Sequence, residues 1–249
     1  MTDEQALRAV HQKIEENFPP IAGVLNGAMV LRDVTVHNME FDQVTDVIRP
    51  KVLGSIHLDQ IFHDTDLDFF VLLSSANCII GNVGQANYAA ANMGMCGVAA
   101  NRRKRGLRSS VANVGAIIGI GYITESAKQL DLTVANTRLT HLNEEDFHQI
   151  FAEVMEVGHP DVPDGPEIST GISEVLADEP NMPKWFTDPK FSRLIVQNVA
   201  GGGGKKEEAS VSIHESLEAC QSEQDIFDVV KRKCGAPFGF VIHPILPYL

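Results

Sequence analysis

The stretch FFVLLSSANCIIGNVGQANYAAANMGMCGVAANRRKRG, from Phe69 to Gly106, decides the fold of this chain. It opens within an apolar run, DFFVLLS, that predicts a buried strand over Asp68 to Ser74. The Ala-rich sequence that follows predicts a helix over Ala86 to Arg105, because basic residues and then a glycine are typical of a helix C terminus. A buried strand that leads into a helix in this way indicates a layered α/β structure.

The sequence before and after this stretch continues the alternation of helices and strands. Thr2 and Gln5 form a capping-box pattern for a first, amphipathic helix that reaches Asn17, and Pro19-Pro20 ends it. The other elements that we predict in this half are a strand over Ile21 to Met29, a helix over Met39 to Phe62 that is interrupted at Pro50, and a strand over Ser109 to Val114. This order predicts an α/β fold with a parallel sheet, flanking helices and right-handed crossovers.

The second half of the chain predicts a smaller number of regular elements. Asn143 is the expected N-cap of a helix over Glu144 to Val157, with Asp146 as the third residue. After that helix we expect an edge strand over Glu167 to Ile172, a closing segment over Trp185 to Val199, a flexible linker that begins with Gly201 to Gly204, and a last helix from Ser222 to Cys234.

Composition and charge narrow the classes of function. The chain has 249 residues, 44% of them hydrophobic, with a net charge of −13, which argues against nucleic acid or an anionic membrane as the main partner. Its four cysteines form no C-x-x-C pair, so we expect no metal site, and their sparse use is typical of a protein of the reducing cytosol. The first residues, MTDEQALRAVHQK, do not have the apolar pattern of a signal peptide, and without a run of ~18 apolar residues we expect no transmembrane helix.

Four polar residues in and near the apolar central stretch indicate an acid–base centre. A tyrosine with a pKa of about 10 needs a nearby cation to act as a general acid near neutral pH, and Lys51 could supply that charge to Tyr88. Ser75, at the end of a strand, could hydrogen-bond a substrate carbonyl and stabilise a developing alkoxide. Asn92 lies one helical turn after Tyr88 and could position Lys51 or a water that returns the proton.

Each of these residues, taken singly, has a simpler interpretation. A serine at a strand end is usually a turn residue, a tyrosine in a sequence such as GNVGQANY usually lies at a rim, and RRKR is usually a solvated helix end. It is the joint spacing that favours the catalytic interpretation, with 24 residues from Lys51 to Ser75, 13 from there to Tyr88 and 4 more to Asn92.

The segment from Val24 to Ile172 resembles the catalytic half of a polyketide-synthase ketoreductase domain, a member of the short-chain dehydrogenase/reductase superfamily with a Rossmann-like fold. The closest resemblance is to fungal highly reducing synthases and to their hybrids with peptide synthetases. The residues that carry it are VIRPKVLGSIHLD, DLDFFVLLSSANCIIGNVGQANYAAAN and the NVG at Asn113 to Gly115. Ordinary reductases of the superfamily have Tyr-x-x-x-Lys, whereas Asn92 takes that lysine position here and the lysine stands upstream at Lys51, as in synthase ketoreductases.

The resemblance implies a reaction and a set of roles. Hydride would come from NADPH, and the substrate would be a β-ketoacyl thioester on the phosphopantetheine of an acyl-carrier domain, with other synthase domains as further partners. Tyr88 would donate the proton, Ser75 would orient the β-carbonyl, and Lys51 with Asn92 would complete the relay. The residues implied on the cofactor side are Asn26, Ala28, Val114 and Gly115.

The resemblance also implies a substrate side, made of Leu31, Asp33 and Gln85, with a lid over Ile117 to Leu142. Leu31-Arg32-Asp33 fits the L-x-D pattern of ketoreductases that form the D-configured alcohol, and no Trp precedes Ser75, which agrees with it. One departure from the family is Met29, where the family usually has a glycine.

The family's Gly-rich dinucleotide loop does not occur in this sequence, since no G-x-G-x-x-G follows a predicted strand. We therefore expect a fold whose first cofactor-binding βα units are missing, and a chain that by itself binds NADPH poorly and reduces little. Ser222 to Cys234 resembles the first helix of an acyl-carrier domain. The expected organisation is a ketoreductase part over 1–199, a linker over 200–221 and the start of a carrier domain with an atypical tail over 222–249.

Two other functions stay open at this point. The first is a catalytically inactive fragment that docks on a synthase or is a structural remnant of one, and the missing cofactor loop favours it. The second is a sugar-nucleotide epimerase or dehydratase of the same superfamily, and Asn92 speaks against it because those enzymes use Tyr-x-x-x-Lys.

Overall fold

The computed structural model describes residues 1–118, 139–163, 165–178 and 182–197. Helices and parallel strands alternate through these ranges, so the predicted α/β class is correct. In the described ranges, no helix combines the length and the apolar character that crossing a bilayer requires. The α-helices are α1 (Glu4–Asn17), α2 (Phe41–Ile48), α3 (Gly54–Ile61), α4 (Asn77–Ile80), α5 (Ala86–Lys104) and α6 (Glu144–Val157).

Within the described residues, the central sheet has four parallel strands, in the order β1 (Gly23–Asn26), β2 (Phe69–Ser75), β3 (Ser110–Val114) and β6 (Glu167–Ser169). The register pairs Gly23 with Phe69, Val71 with Ser110, and Val111 with Glu167. Because all four strands run the same way, their carboxyl ends meet at one edge of the sheet. Outside this sheet, short parallel pairs are formed by β4 (Ala116–Ile117) with β5 (His141–Leu142) and by β7 (Val175–Leu176) with β8 (Ile195–Val196).

Alternating residues of β2 build the two faces of the sheet. Phe70 and Leu72 pack with Met95 of α5 in one buried cluster. Val71 packs with Ile150 and Val154 of α6 in another. A parallel strand covered on both faces is expected to be a continuous apolar run, which is how the sequence identified it.

The first helix begins differently from the prediction. Asp3, not Thr2, is the N-cap residue, and its carboxylate accepts a hydrogen bond from the Ala6 N–H at 2.9 Å. An ionised acceptor is the better partner for the exposed N–H groups and the positive end of the helix dipole, which explains the shift by one residue.

The sequence predicted that the helix is interrupted at Pro50, but the chain stays helical there and only the type of helix changes. A π-helical turn over Arg49–Leu53 joins α2 to α3, and the Gly54 N–H bonds to the carbonyls of Arg49 and Lys51. Proline has no N–H to donate, and a turn with one extra residue accommodates it without ending the helix. The consequence for function is that Lys51 lies inside this turn and is directed into the core, with 2% of its surface exposed.

The elements predicted for the second half of the chain are confirmed only in part. Asn143 caps α6 with Asp146 in a reciprocal capping box, as predicted. The expected edge strand exists as β6 but is shorter, and the closing segment forms 3₁₀ turns whose Trp185 and Phe191 pack beneath α4. The expected linker, the carrier-like helix and its tail, and residues 119–138 of the expected lid lie outside the described residues.

Two glycines of α5 provide a test of how tightly this helix packs on the π-helical turn. A Cβ at Gly94 would lie 2.7 Å from a methyl carbon of Val52, whereas a Cβ at Gly97 would meet nothing within 4 Å. Alanine is favoured over glycine in a helix by about 1 kcal/mol. We expect Gly97→Ala to raise the free energy of unfolding by about that amount, and Gly94→Ala to lower it.

Urea unfolding of both variants beside the unchanged chain measures this difference. Equal stabilisation by the two alanines would contradict the close packing of α5 against Val52.

Candidate active site

The candidate site lies at the carboxyl edge of the sheet, where ligands bind in open parallel α/β folds. Ser75 is the last residue of β2 and pairs with Val114, the last residue of β3. A hydrogen bond of 2.9 Å from the Ala76 N–H to the Val114 carbonyl continues the contact between the two chain segments just beyond these strand ends. The first turn of α5, which carries Tyr88, covers the same edge.

Lys51 places a buried ammonium beside the tyrosine. Its Nζ donates to the Leu73 carbonyl at 2.9 Å and lies 5.4 Å from the centroid of the Tyr88 ring. Burial lowers the pKa of Lys51 from 10.5 to about 8, and the neighbouring Cys78 acts in the opposite direction. The lysine is therefore a cation at neutral pH that loses its charge in mildly alkaline solution.

Tyr88 is a neutral phenol in this environment. Burial raises the pKa of Tyr88, while hydrogen bonding by the side chains of Asn92 and Ser75 favours its ionised form and limits the rise. A phenol that keeps its proton, but has partners for the phenolate, is suited to giving that proton to a bound acceptor.

Asn92 joins this group through its amide. The Nδ2 group donates to the Tyr88 carbonyl at 2.8 Å within α5. The Oδ1 atom is buried and has no hydrogen-bond partner in the described part of the chain. A buried acceptor without a donor is unfavourable by about 1–3 kcal/mol, so this oxygen is prepared to accept from a molecule that enters the site.

Asn26 contributes to the site indirectly. Its side chain, 1% exposed, donates to the carbonyls of Pro50 and Lys51 at 3.3 and 3.2 Å and to the Ser55 hydroxyl at 2.8 Å. Its Oδ1 accepts from the Ala28 N–H at 3.0 Å. The side chain expected on the cofactor side is thus engaged within the protein, and it fixes the turn that presents Lys51.

Gly115, which is also expected on the cofactor side, follows β3 where two backbone segments approach closely. A Cβ there would lie 3.1 Å from the Thr170 carbonyl oxygen and from Gly171 Cα. Its N–H donates to the Thr170 hydroxyl at 3.1 Å. A side chain at this position would require the backbone of residues 170–171 to shift, so glycine allows the two segments to approach this closely.

The residues expected on the substrate side are also brought together. Gln85 donates to the Asp33 carboxylate at 2.9 Å and accepts from the amides of Asn77 and Asn82. Leu31 packs against the buried cluster that contains Tyr88. The L-x-D segment therefore lies beside the loop that precedes the tyrosine.

Sequence reasoning missed the contributions of Ser55, Cys78 and Asn87. Ser55 bonds to the Lys51 carbonyl one turn earlier, Cys78 donates to Asn113 at 3.3 Å, and Asn87 holds three backbone groups. The one available indication was the position of Asn87 next to Tyr88, because hydrogen bonds between distant segments leave no periodic pattern.

Comparison with known protein families agrees with this geometry. A family model for the KR domain matches residues 1–119. The highly reducing polyketide synthase sthA of Phaeosphaeria nodorum is 68% identical over 233 residues, which are 93% of this chain and 8% of that protein. The hybrid PKS-NRPS synthetase poxE of Penicillium oxalicum is 41% identical over 234 residues, which are 93% of this chain and 6% of that protein. The chain thus spans less than a tenth of the length of these relatives.

Solved structures give the same grouping. A-type ketoreductases from a modular polyketide synthase align with a TM-score of 0.59 and 27% identity, over 68% of this chain and 34% of that chain. A ketoreductase domain from the bacillaene assembly line aligns with a TM-score of 0.58 and 26% identity, over 64% of this chain and 39% of that chain.

The lowered pKa of Lys51 predicts a pH-dependent gain in stability on its removal. The shift from 10.5 to about 8 corresponds to about 3 kcal/mol, and losing the hydrogen bond to Leu73 offsets about 1 kcal/mol. We expect Lys51→Met to raise the free energy of unfolding by about 2 kcal/mol below pH 8. The gain disappears as the pH rises through 10.5, because the lysine is then neutral in both the folded and the unfolded chain.

Urea unfolding across this pH range measures the effect, with Lys13→Met, on the exposed face of α1, as the control. A stability difference for Lys51→Met that does not change with pH would show that burial does not penalise the ammonium.

Proposed function

Since residues 1–119 belong to the ketoreductase-domain family found in polyketide synthases, we propose that this chain supplies the catalytic centre that reduces a β-ketoacyl thioester to a β-hydroxyacyl thioester. The observation that carries the proposal is the buried Lys51 ammonium, 5.4 Å from the centroid of the Tyr88 ring. A cation at that distance favours the phenolate form in a weakly polarisable interior, so it makes the phenol a stronger acid when the proton leaves.

The centre requires a nicotinamide cofactor, for which NADPH is the proposed form. The residues present fit its nicotinamide–ribose end, because within the described residues the three N–H groups of the buried Lys51 ammonium have one hydrogen-bond acceptor, the Leu73 carbonyl. Lys51, Val114 and Gly115 would hold this end, and a bound nicotinamide would supply hydride to the carbonyl carbon.

Ser75 has the hydroxyl geometry of a carbonyl-orienting group. Its Oγ accepts from the Asn77 N–H at 3.3 Å and hydrogen-bonds the Tyr88 side chain, so the hydroxyl lies beside the proposed proton donor. In the proposed reaction the hydroxyl hydrogen is directed at the β-carbonyl oxygen of the substrate. A donor placed at an oxygen that gains negative charge typically contributes about 10²–10³-fold in rate.

Tyr88 completes the reaction as the proton donor. Its raised pKa keeps the phenol protonated through the neutral range, and Lys51 stabilises the phenolate left behind. The unpartnered carbonyl oxygen of Asn92 can accept from a water that returns a proton to the tyrosine. The net change is addition of one hydride and one proton across the carbonyl.

The proposed substrate is carried on the phosphopantetheine of an acyl-carrier domain, and the other domains of a synthase are the proposed neighbours. The support for this is that the similar proteins are multidomain synthases. Leu31, Asp33 and Gln85 are the proposed substrate side and direct formation of the D-configured alcohol.

Adjacent serines allow a matched test of the proposed function. We expect Ser75→Ala to lower kcat for reduction of a β-ketoacyl thioester by about 10²–10³-fold. Ser74→Ala should stay within a few-fold of the unchanged chain, because Ser74 Oγ lies on the opposite side of the strand and contacts Cys78 at 3.6 Å. Loss of NADPH absorbance and chromatography of the alcohol measure the rate and the product.

The assay is run on the full chain alone and on the chain co-expressed with the residues that precede the matched stretch in the Phaeosphaeria nodorum synthase. Absence of reduction in both preparations, or equal activity of the two serine variants, would overturn the proposed function.

A further inference from the structure

Asn87 is a buried junction between the tyrosine and two distant segments. Its Nδ2 group donates to the Arg32 carbonyl at 2.9 Å and to the Gln43 carbonyl at 3.1 Å. Its Oδ1 accepts from the Tyr88 N–H at 2.8 Å. The side chain is 2% exposed, so water does not replace these partners readily.

The loop just before α5 holds the neighbouring residues of the L-x-D segment. The Val34 N–H donates to the Gly84 carbonyl at 2.8 Å, and Gln85 donates to the Asp33 carboxylate at 2.9 Å. Three successive residues, Arg32 to Val34, are thus attached to the first turn of α5 and to the loop before it. Outside 3₁₀ residues Val36–Asn38, the segment between β1 and α2 has no regular structure of its own. Its position therefore depends on these attachments, together with the Arg32–Asp46 ion pair and the packing of Leu31.

The Arg32 and Gln43 carbonyls belong to the L-x-D segment and to α2, which are otherwise joined by the exposed ion pair of Arg32 with Asp46 at 3.1 Å. Gln43 lies in the first turn of α2, and α2 continues through the π-helical turn that carries Lys51. An amide that donates to both, and also accepts from Tyr88, fixes the distance between the L-x-D segment and the acid. Buried, fully bonded amides of this kind rigidify their surroundings.

We propose that Asn87 is a positioning residue that sets the stereochemistry of reduction, by holding the Leu31–Asp33 segment against Tyr88. This inference rests on the proposed function for its stereochemical part, whereas its structural part can be tested without turnover. The side chain does not touch the reacting atoms. It acts through the Leu31–Asp33 segment, which forms a wall that limits how a substrate can lie in front of the Tyr88 phenol.

Asn87→Asp separates the donor role of the amide from its other contacts. Aspartate has the same shape and still accepts from the Tyr88 N–H. It replaces the donor to two carbonyls with a carboxylate oxygen that repels them. Asn87→Ser is a second variant that removes both donors without adding charge. Asn101→Asp, on the exposed C-terminal part of the same helix, is the matched control for charge.

Hydrogen–deuterium exchange on the full chain is the first measurement. We expect exchange in the peptide that contains Arg32 to Val34 to become on the order of tenfold faster in Asn87→Asp and Asn87→Ser, but not in Asn101→Asp. Peptides from β2 and β3 should be unchanged. Unchanged exchange at Arg32 to Val34, or an equal increase throughout the chain, would overturn the proposal, the latter because it indicates a general loss of stability.

Chiral analysis of the reduced product is the second measurement, in the preparation that shows turnover. We expect both Asn87 variants to give a several-fold larger share of the minor enantiomer, with a smaller change in KM than in kcat, since the wall and not the affinity is altered. Retention of the full enantiomeric ratio in variants with faster exchange would overturn the stereochemical role. Lack of turnover by the unchanged chain would count against the proposed function alone, because the exchange result stands independently of it.

Discussion

The buried ammonium of Lys51 is the constraint on which the rest of the site depends. A lysine with 2% of its surface exposed is unfavourable for folding, and the fold compensates only in part, with the Leu73 carbonyl as hydrogen-bond acceptor and the Tyr88 ring as a nearby π-face. Such a group is retained at a cost in stability, which is expected of a functional site and not of a packing residue. Lys51 lies within the π-helical turn around Pro50, and this turn directs its side chain inward.

Asparagine amides connect the surrounding backbone to this charge. Asn26 holds the carbonyls of Pro50 and Lys51, Asn87 holds two segments against Tyr88, and Asn113 bonds Glu167 and Ser169 across to β6. Each lies at or near the carboxyl edge of the sheet, where strands end and backbone groups lose their ladder partners. The Asn26 and Asn87 amides bond backbone carbonyls of the neighbouring helical turns and of the L-x-D segment, whereas Asn113 bonds side chains of β6. Together they attach these elements to the edge of the sheet.

The sequence predicted the elements that local pattern determines and the residues that a family spacing marks. The apolar run of β2, the long helix α5 and the capping box at Asn143 were all predictable, because each depends on neighbours in the chain. The π-helical turn was not predictable. Every local rule predicts that a helix is interrupted at a proline such as Pro50, and only tertiary packing determines that the chain stays helical there. The roles of Asn26 and Asn87 were equally hidden, because their partners are 25 and 55 residues away.

The most direct test of this account is the pKa of Lys51 itself, measured by NMR titration of the chain labelled with ¹³C at the lysine ε-carbon and assigned with Lys51→Met. The account predicts a midpoint of about 8. A midpoint near 10.5, the ordinary value for a lysine, would contradict the central claim that burial beside Tyr88 determines the charge of this group.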